Sequence, residues 1–459
     1  MMNKKDFQRY MKQGLGRCAL ELQSSENIEK YKEIVLWGCL HNLAYDTQSE
    51  GTRASYLYQL TTYFHDEDYF LLPCIEAFEK ISRKGDWLFA HFAELLCNFA
   101  LNGNERAKNT LYRKYMFLLD VLTNKRRLRG YDFERDNFER ICVTLFSLDG
   151  TEALLKIACD MGHLFQTNPH YGADDFEWFF DHTSSALGKK RFLNLLKQKA
   201  KKSEHIRNFI EQYLRLEEEN TYSFRKTKEI PNAGDIQNEV NTVGKLSPAL
   251  KVRFFRHADT EEKRKLAQNI LAEPNPDKKA ELLQVFTFRD ESFPAPHETL
   301  IEYTKSSHEK LREASLDVLT NCRSDAVREY ALTLLSDGKN RSHALNILLC
   351  NYIPNIKNLL LAELYKIKVD YKDESDWHSI GSKILDVCDQ NVKLPKEFLI
   401  YIYETTLCSC CREYALMALA KHRWLTSAII EECRYDCNSD ISAYINHYYP
   451  ATTKNERKN

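Results

Sequence analysis

The sequence predicts an all-α protein made of stacked antiparallel helix pairs, and three observations carry that reading. One is a recurring spacing of Arg, then Leu four residues on, then Leu three further. It occurs at Arg312, Leu316, Leu319; at Arg328, Leu332, Leu335; at Arg412, Leu416, Leu419; and at Arg53, Leu57, Leu60. Positions i, i+4 and i+7 share one face of a helix, so each copy reads as a helix whose apolar stripe begins at an arginine. The second is a low content of turn formers, 15 Gly and 11 Pro in 459 residues, which favours helices joined by short connections. The third is that no run alternates apolar and polar residues with the period of two a half-buried strand requires.

In chain order, residues 3–22 read as a first helix with Gly14-Leu15-Gly16 inside it. A G-x-G pair invites a dinucleotide loop, but that loop needs a preceding strand; close helix packing or a kink is the simpler reading. Ile28–Leu43 is strongly apolar and helical. Tyr45-Asp46-Thr47-Gln48-Ser49-Glu50 is a polar corner, and Tyr435-Asp436-Cys437-Asn438-Ser439-Asp440 echoes it near the other end. Asp, Asn, Ser and Thr at such corners are helix N-cap residues. Helices are expected over 69–82, 86–101, 104–124, 132–147, 151–162, 174–186, 189–200 and 203–219. This divides the chain into an N-terminal helical array over 1–220, a linker or long loop over 221–248, a second array over 249–450, and a polar, disordered tail over 451–459. Prolines 274, 276, 294 and 296 mark corners early in the second array.

The copies at Arg312, Arg328 and Arg412 resemble the second helix of HEAT and armadillo-like repeats, whose loose signature is apolar-Arg-x-x-Ala-x-x-x-Leu. Arg328 and Arg412 are separated by about two periods of the ~40–47 residues such repeats use. Arg312 and Arg328 are too close for that and belong to neighbouring helices. The match extends to Arg53 and is absent between about 100 and 250. The resemblance implies an α-solenoid, in one or two arrays, and a scaffold or adaptor role. In the family the arginine often pairs with a loop aspartate, a place Asp46 and Asp325 would fill here. Each repeat buries its apolar face only by stacking on its neighbours, which leaves a long curved surface for contacts.

Bulk properties narrow the function classes. A net charge of −1 gives no global footprint for nucleic acid or an anionic membrane. No run approaches the roughly 18–20 apolar residues of a membrane span. Met1 to Tyr10 is basic but leads into no apolar run, unlike a signal peptide. With 14 cysteines and no such signal, a reducing, cytoplasmic setting and buried thiols are expected.

Four clusters of chemistry-bearing residues stand out. Cys408, Cys410, Cys411, Cys433 and Cys437 cluster, but Cys411 occupies the apolar slot that Leu311 and Val327 fill in other copies, so structural burial is expected and no metal or cofactor. Lys189, Lys190, Arg191, Lys197 and Lys201, with Lys199 and Lys202, make a basic helix backed by Phe192, Leu193, Leu196 and Ala200; it is the expected patch for an acidic partner. Lys125-Arg126-Arg127-x-Arg129 is a second basic cluster. Asp174-Asp175-Phe176-Glu177-Trp178-Phe179-Phe180 puts carboxylates beside aromatics. HEAT-like alkylpurine DNA glycosylases place an aspartate among aromatics on a concave face, yet first-turn acids favourable to the helix dipole, with Trp178 and Phe179 in the core, explain the stretch here. Neither G-x-S-x-G, H-E-x-x-H, a P-loop nor a kinase motif set is present. The expected function is a non-enzymatic scaffold binding a protein partner. The alternative is a nucleic-acid-binding solenoid, with glycosylase-type chemistry as its extension.

Overall fold

The computed structural model describes residues 2–81, 86–124, 132–223, 230–288, 292–338, 340–367, 375–390 and 394–450. The described residues form 26 α-helices with short 3-10 turns and contain no strand. None of these helices is long and apolar enough to cross a membrane. Two compact units are present. One comprises Met1–Lys226, Leu407–Cys410 and Thr426–Asn459; the other comprises Thr227–Thr406 and Cys411–Leu425.

Much of the first unit follows the local pattern closely. Helices occupy Asp86–Leu101, Glu105–Asn124, Lys189–Ala200 and Glu204–Ser223. Phe133–Thr167 is continuous except at Gly150, whose φ of 57° and ψ of −127° turn the chain where two helices were expected. Antiparallel neighbours pack in sequence, Asp86–Leu101 lying against both Glu105–Asn124 and Phe133–Thr167. Their shared core is unusually aromatic: Phe89, Phe92, Phe99, Phe138, Phe176, Phe179, Phe180 and Phe209 are buried together, with Phe180 stacked on Tyr213 at 5.3 Å.

Three expectations are corrected. Residues 3–22 are two helices, Lys4–Gln13 and Arg17–Ser24, because Gly14 adopts the left-handed conformation (φ 75°) and caps the first. The expected linker over 221–248 carries the helix Ala233–Val243, which buries Ala233, Ile236 and Val240 and opens on a capping box between Asn232 and Asp235. Within the range expected as a second array, 249–450, Leu407–Cys410 and the segment from Thr426 cluster with the first unit. The tail over 451–459 lies outside the described residues.

That last segment explains the N-terminal break. Its helices are Ser427–Cys433 and Ser439–Tyr448. The Cys437 amide donates to the Gly14 carbonyl at 2.9 Å, and Arg17 Nε donates to Glu432 Oε1 at 2.7 Å. A Cβ on Gly14 would collide with Cys437 Sγ, and one on Gly16 with the Glu432 carbonyl. The G-x-G pair is therefore a close-packing device. The two echoing corners both cap helices as expected: Asp46 accepts from the Gln48 amide at 3.0 Å and Asn438 from the Asp440 amide at 2.9 Å.

The four signature arginines do not share one role. Arg53 is buried in the first unit, where its guanidinium pairs with buried Glu50 at 3.0 Å and donates to the Leu407 carbonyl at 2.6 Å and to the Lys12 carbonyl. Glu50 is thus a carboxylate partner of Arg53 three residues before it. Arg412 is fully buried in the second unit. Arg312 is half-buried and donates to the Ser306 carbonyl at 3.1 Å. Arg328 is half-buried and pairs with exposed Asp325 at 2.8 Å. Leucines 57, 60, 316, 319, 416 and 419 are all buried, but Leu332 and Leu335 are only partly so. In that helix Val327, Ala331 and Leu334 face inward instead, a stripe turned by one position.

Candidate functional site

Three helices of the first unit place a polar stripe opposite an apolar one. On Asp86–Leu101, residues 90, 94, 97, 98 and 101 recur at helical spacing and face a groove, while Phe89, Phe92 and Phe99 face the core. On Phe133–Thr167 the groove stripe is Arg140, Val143, Thr144 and Ser147, and the core stripe includes Phe138, Ile141 and Leu145. On Glu177–Leu187, Trp178 and His182 face the groove as an i, i+4 pair, while Phe179, Phe180 and Thr183 are buried. Ser55, from the helix Ala54–Thr61, completes the lining, and the groove encloses about 340 Å³.

The central feature is Arg140. Its guanidinium lies 4.2 Å from the Trp87 ring centre and 5.8 Å from that of Trp178, a cation–π arrangement that fixes the side chain. Among the described residues it has no ion pair and no hydrogen-bond acceptor, so its donors face the groove unspent. Trp178 is 47% exposed, which corrects its expected place in the core; Phe179 is buried as expected.

Glu94 lies in the same groove and accepts from the Thr52 hydroxyl. It keeps solvent access through the mouth while protein crowds it on the other sides. That crowding raises its carboxyl pKa, against opposing pulls from Thr52 and Arg140. Desolvation also lowers the His182 pKa, keeping the imidazole neutral near pH 7. Arg140 is thus the one permanent cation among the described residues lining the groove. Nearby hydroxyls are committed: Thr144 donates to the Arg140 carbonyl at 2.9 Å and Ser147 to the Val143 carbonyl at 3.1 Å. The Asn98 amide donates to the Glu94 carbonyl at 2.8 Å and to Ser55 Oγ at 3.3 Å.

The other expected site residues are placed as follows. Lys189, Lys190, Arg191, Lys197 and Lys201 are all exposed on or just beyond the helix Lys189–Ala200, whose Phe192, Leu196 and Ala200 are buried. Lys189 pairs with Glu217 at 2.7 Å. Residues 125–127 and 129 lie outside the described residues. Asp175 is buried and accepts from the Gly172 amide at 3.0 Å, a cap to its turn. Cys408, Cys411 and Cys433 are buried, Cys410 and Cys437 partly so; Cys411 Sγ lies 3.4 Å from His378 Nε2. The second unit has a polar pocket of about 280 Å³ in which His343 Nε2 meets Asp317 Oδ1 at 3.0 Å.

Sequence reasoning missed Trp87, Glu94, Asn98 and Arg140. Their signal was present as polar residues at i, i+4 spacing in otherwise apolar helices, Glu94 with Asn98 and Arg140 with Thr144.

No protein-family model matches the chain, and no curated protein matches it. A crystal structure of an engineered protein is similar at 12% identity, covering 92% of this chain and 99% of that one, with a TM-score of 0.22.

Proposed function

We propose that this chain is a non-enzymatic, helical-repeat scaffold of the HEAT-like kind that binds a protein partner through the groove around Arg140. The carrying observation is the exposed Trp178 beside an unpaired, stacked Arg140. Trp and Arg are the residue types that dominate binding energy when they sit together in a pocket. The committed hydroxyls support binding over catalysis, since an activated nucleophile needs a free hydroxyl beside a base. The basic face of Lys189–Ala200 follows the Trp178 helix directly in the chain and would steer an acidic partner toward it.

The test is partner capture by the full chain from its own cells, followed by mass spectrometry, with Trp178→Ala and a Lys190→Glu, Lys197→Glu, Lys201→Glu triple variant in parallel. Exposed substitutions rarely change stability by more than about 0.5 kcal/mol, so both variants should fold. The expected result is a defined partner lost with Trp178→Ala and weakened by the triple variant. Equal capture by all three proteins would overturn the groove reading.

A nucleic-acid-binding role is the second reading, favoured by the same exposed lysines. It predicts retention on duplex DNA that falls steeply with salt. Turnover of a modified base by the purified protein alone would overturn the scaffold reading outright.

A further inference from the structure

We infer that Arg140 is the receptor for a single carboxylate of the partner polypeptide, an Asp or Glu side chain or a chain terminus, with an adjacent aromatic ring stacked on Trp178. This rests on the protein-binding reading and names the chemistry of its ligand.

Arg140 differs from the chain's structural arginines in what it lacks. A half-buried guanidinium carries five N–H donors in a fixed fork, and an arginine serving only the fold spends them on a carboxylate or on carbonyls, as Arg53 does with Glu50, Leu407 and Lys12. Arg140 spends none on a described residue. Its stack on Trp87 instead holds the fork in one orientation, so little freedom remains to be lost when a ligand arrives. Glu94 is near enough for its charge to be felt, yet it forms no ion pair with Arg140, its carboxylate being engaged by Thr52. Between them is groove.

The ligand class follows from charge and shape. A planar fork matches a carboxylate or a phosphate bidentately. A nucleic-acid strand presents a row of phosphates and needs several cations in one field; this groove offers one, with a carboxylate beside it. A single carboxylate matches the one fork and requires no second cation. The exposed indole of Trp178, 5.8 Å from the guanidinium, adds a flat apolar surface that an aromatic ring on the same ligand would cover, in the offset or edge-to-face arrangement aromatic pairs favour.

N-acetyl-L-phenylalanine carries both features, and N-acetyl-L-phenylalaninamide replaces only its carboxylate with a neutral isostere. Each is titrated into the full chain while tryptophan fluorescence is followed, with Trp178→Phe identifying the responding indole. The acid should produce a saturable change roughly 10- to 100-fold tighter than the amide, the range for a hydrogen-bonded charge. Arg140→Met should abolish that preference. Arg140→Lys, which keeps the charge without the fork, should retain only a weak preference; circular dichroism confirms that each variant is folded. Equal responses to acid and amide, no saturable response, or acid binding that survives Arg140→Met would overturn the inference. Binding of a short DNA duplex that depends on Arg140 and falls steeply with salt would also overturn it, placing phosphate at the site. Failure here is distinguishable from failure of the scaffold reading, because capture that still depends on Trp178 but not on Arg140 would leave a partner-binding groove without a carboxylate receptor.

Discussion

Arg53 and Glu50 are both almost fully enclosed, with side chains 1% and 2% exposed. Removing one member leaves the other charged and buried, so Arg53→Met should destabilise the first unit by about 3–5 kcal/mol, read as a fall in urea midpoint. The double variant with Glu50→Met should recover much of that loss, because it removes the stranded charge. His91 supplies a pH dependence. It is fully buried, and its Nε2–H donates to the Cys39 carbonyl at 2.9 Å. Burial lowers its pKa to about 4, with that hydrogen bond opposing. The unfolded chain takes up this proton near pH 6.5, so the stability is fully present above that pH. It is lost as pH falls toward 4, by an amount on the order of 3 kcal/mol. Thermal melts of the wild type and His91→Gln between pH 7.5 and 4 should converge at the acid end. Glu139 works in the opposite direction. Burial raises its pKa to about 7, although it accepts from the Phe179 amide at 2.9 Å. Stability is then lost as pH rises from the unfolded value near 4.3 through 7, so Glu139→Gln should raise the melting temperature at pH 8 and leave it unchanged at pH 4. None of these roles was legible in the sequence, where Arg53 looked like three other arginines and His91 like an isolated histidine.

Helices are the scale at which the sequence is most readable. Asp86–Leu101 and Lys189–Ala200 fall where their spacing puts them, because an i→i−4 ladder and a 3.6-residue period are properties of a short window. Closeness between helices is less readable. Gly14 and Gly16 were legible as a kink or packing pair, but not what packs there. Gly16→Ala should force the segment around Glu432 away from Arg17–Ser24, which faster backbone amide exchange over residues 426–448 would report. Gly162 sits against the His205 carbonyl in the same way, where Phe133–Thr167 meets Glu204–Ser223, so it makes a control: Gly162→Ala should loosen Glu204–Ser223 and leave 426–448 protected. The Trp178 helix shows why the candidate site was missed. Its sequence, from Glu177 to Leu187, offers Trp178, Phe179 and Phe180 in succession, and three neighbouring aromatics cannot all face inward on one helix. The choice of which one stays exposed belongs to the helices that flank it.

In the first unit, residues 415 apart in sequence meet where Arg17 holds Glu432. Truncating the chain after Leu425 should therefore uncover Gly14, Gly16 and Arg17. The expected outcome is a lower melting temperature for the first unit, with the second, Thr227–Thr406 and Cys411–Leu425, keeping its own exchange protection. Hydrogen exchange resolved by peptide would show which unit responds; equal loss of protection in both would contradict it. Such a contact leaves no periodic trace in either partner segment, since neither glycines near one end nor a glutamate near the other identify each other.

The sequence by itself determined that the chain is helical, where the helices between about 69 and 219 lie, and that polar residues cap its two echoing corners, because those features depend on neighbours within a turn or two. It also showed the basic face of Lys189–Ala200, since one helix period sorts those lysines from Phe192 and Leu196. Only the tertiary structure decided that Arg53 is buried while Arg328 is not, that Trp178 remains exposed, and that Arg140 is stacked with its donors unspent. The physical reason is that a helix carries more than one usable face. Its period fixes which residues lie together, while burial, pKa and free hydrogen-bonding capacity depend on which face a distant segment happens to cover.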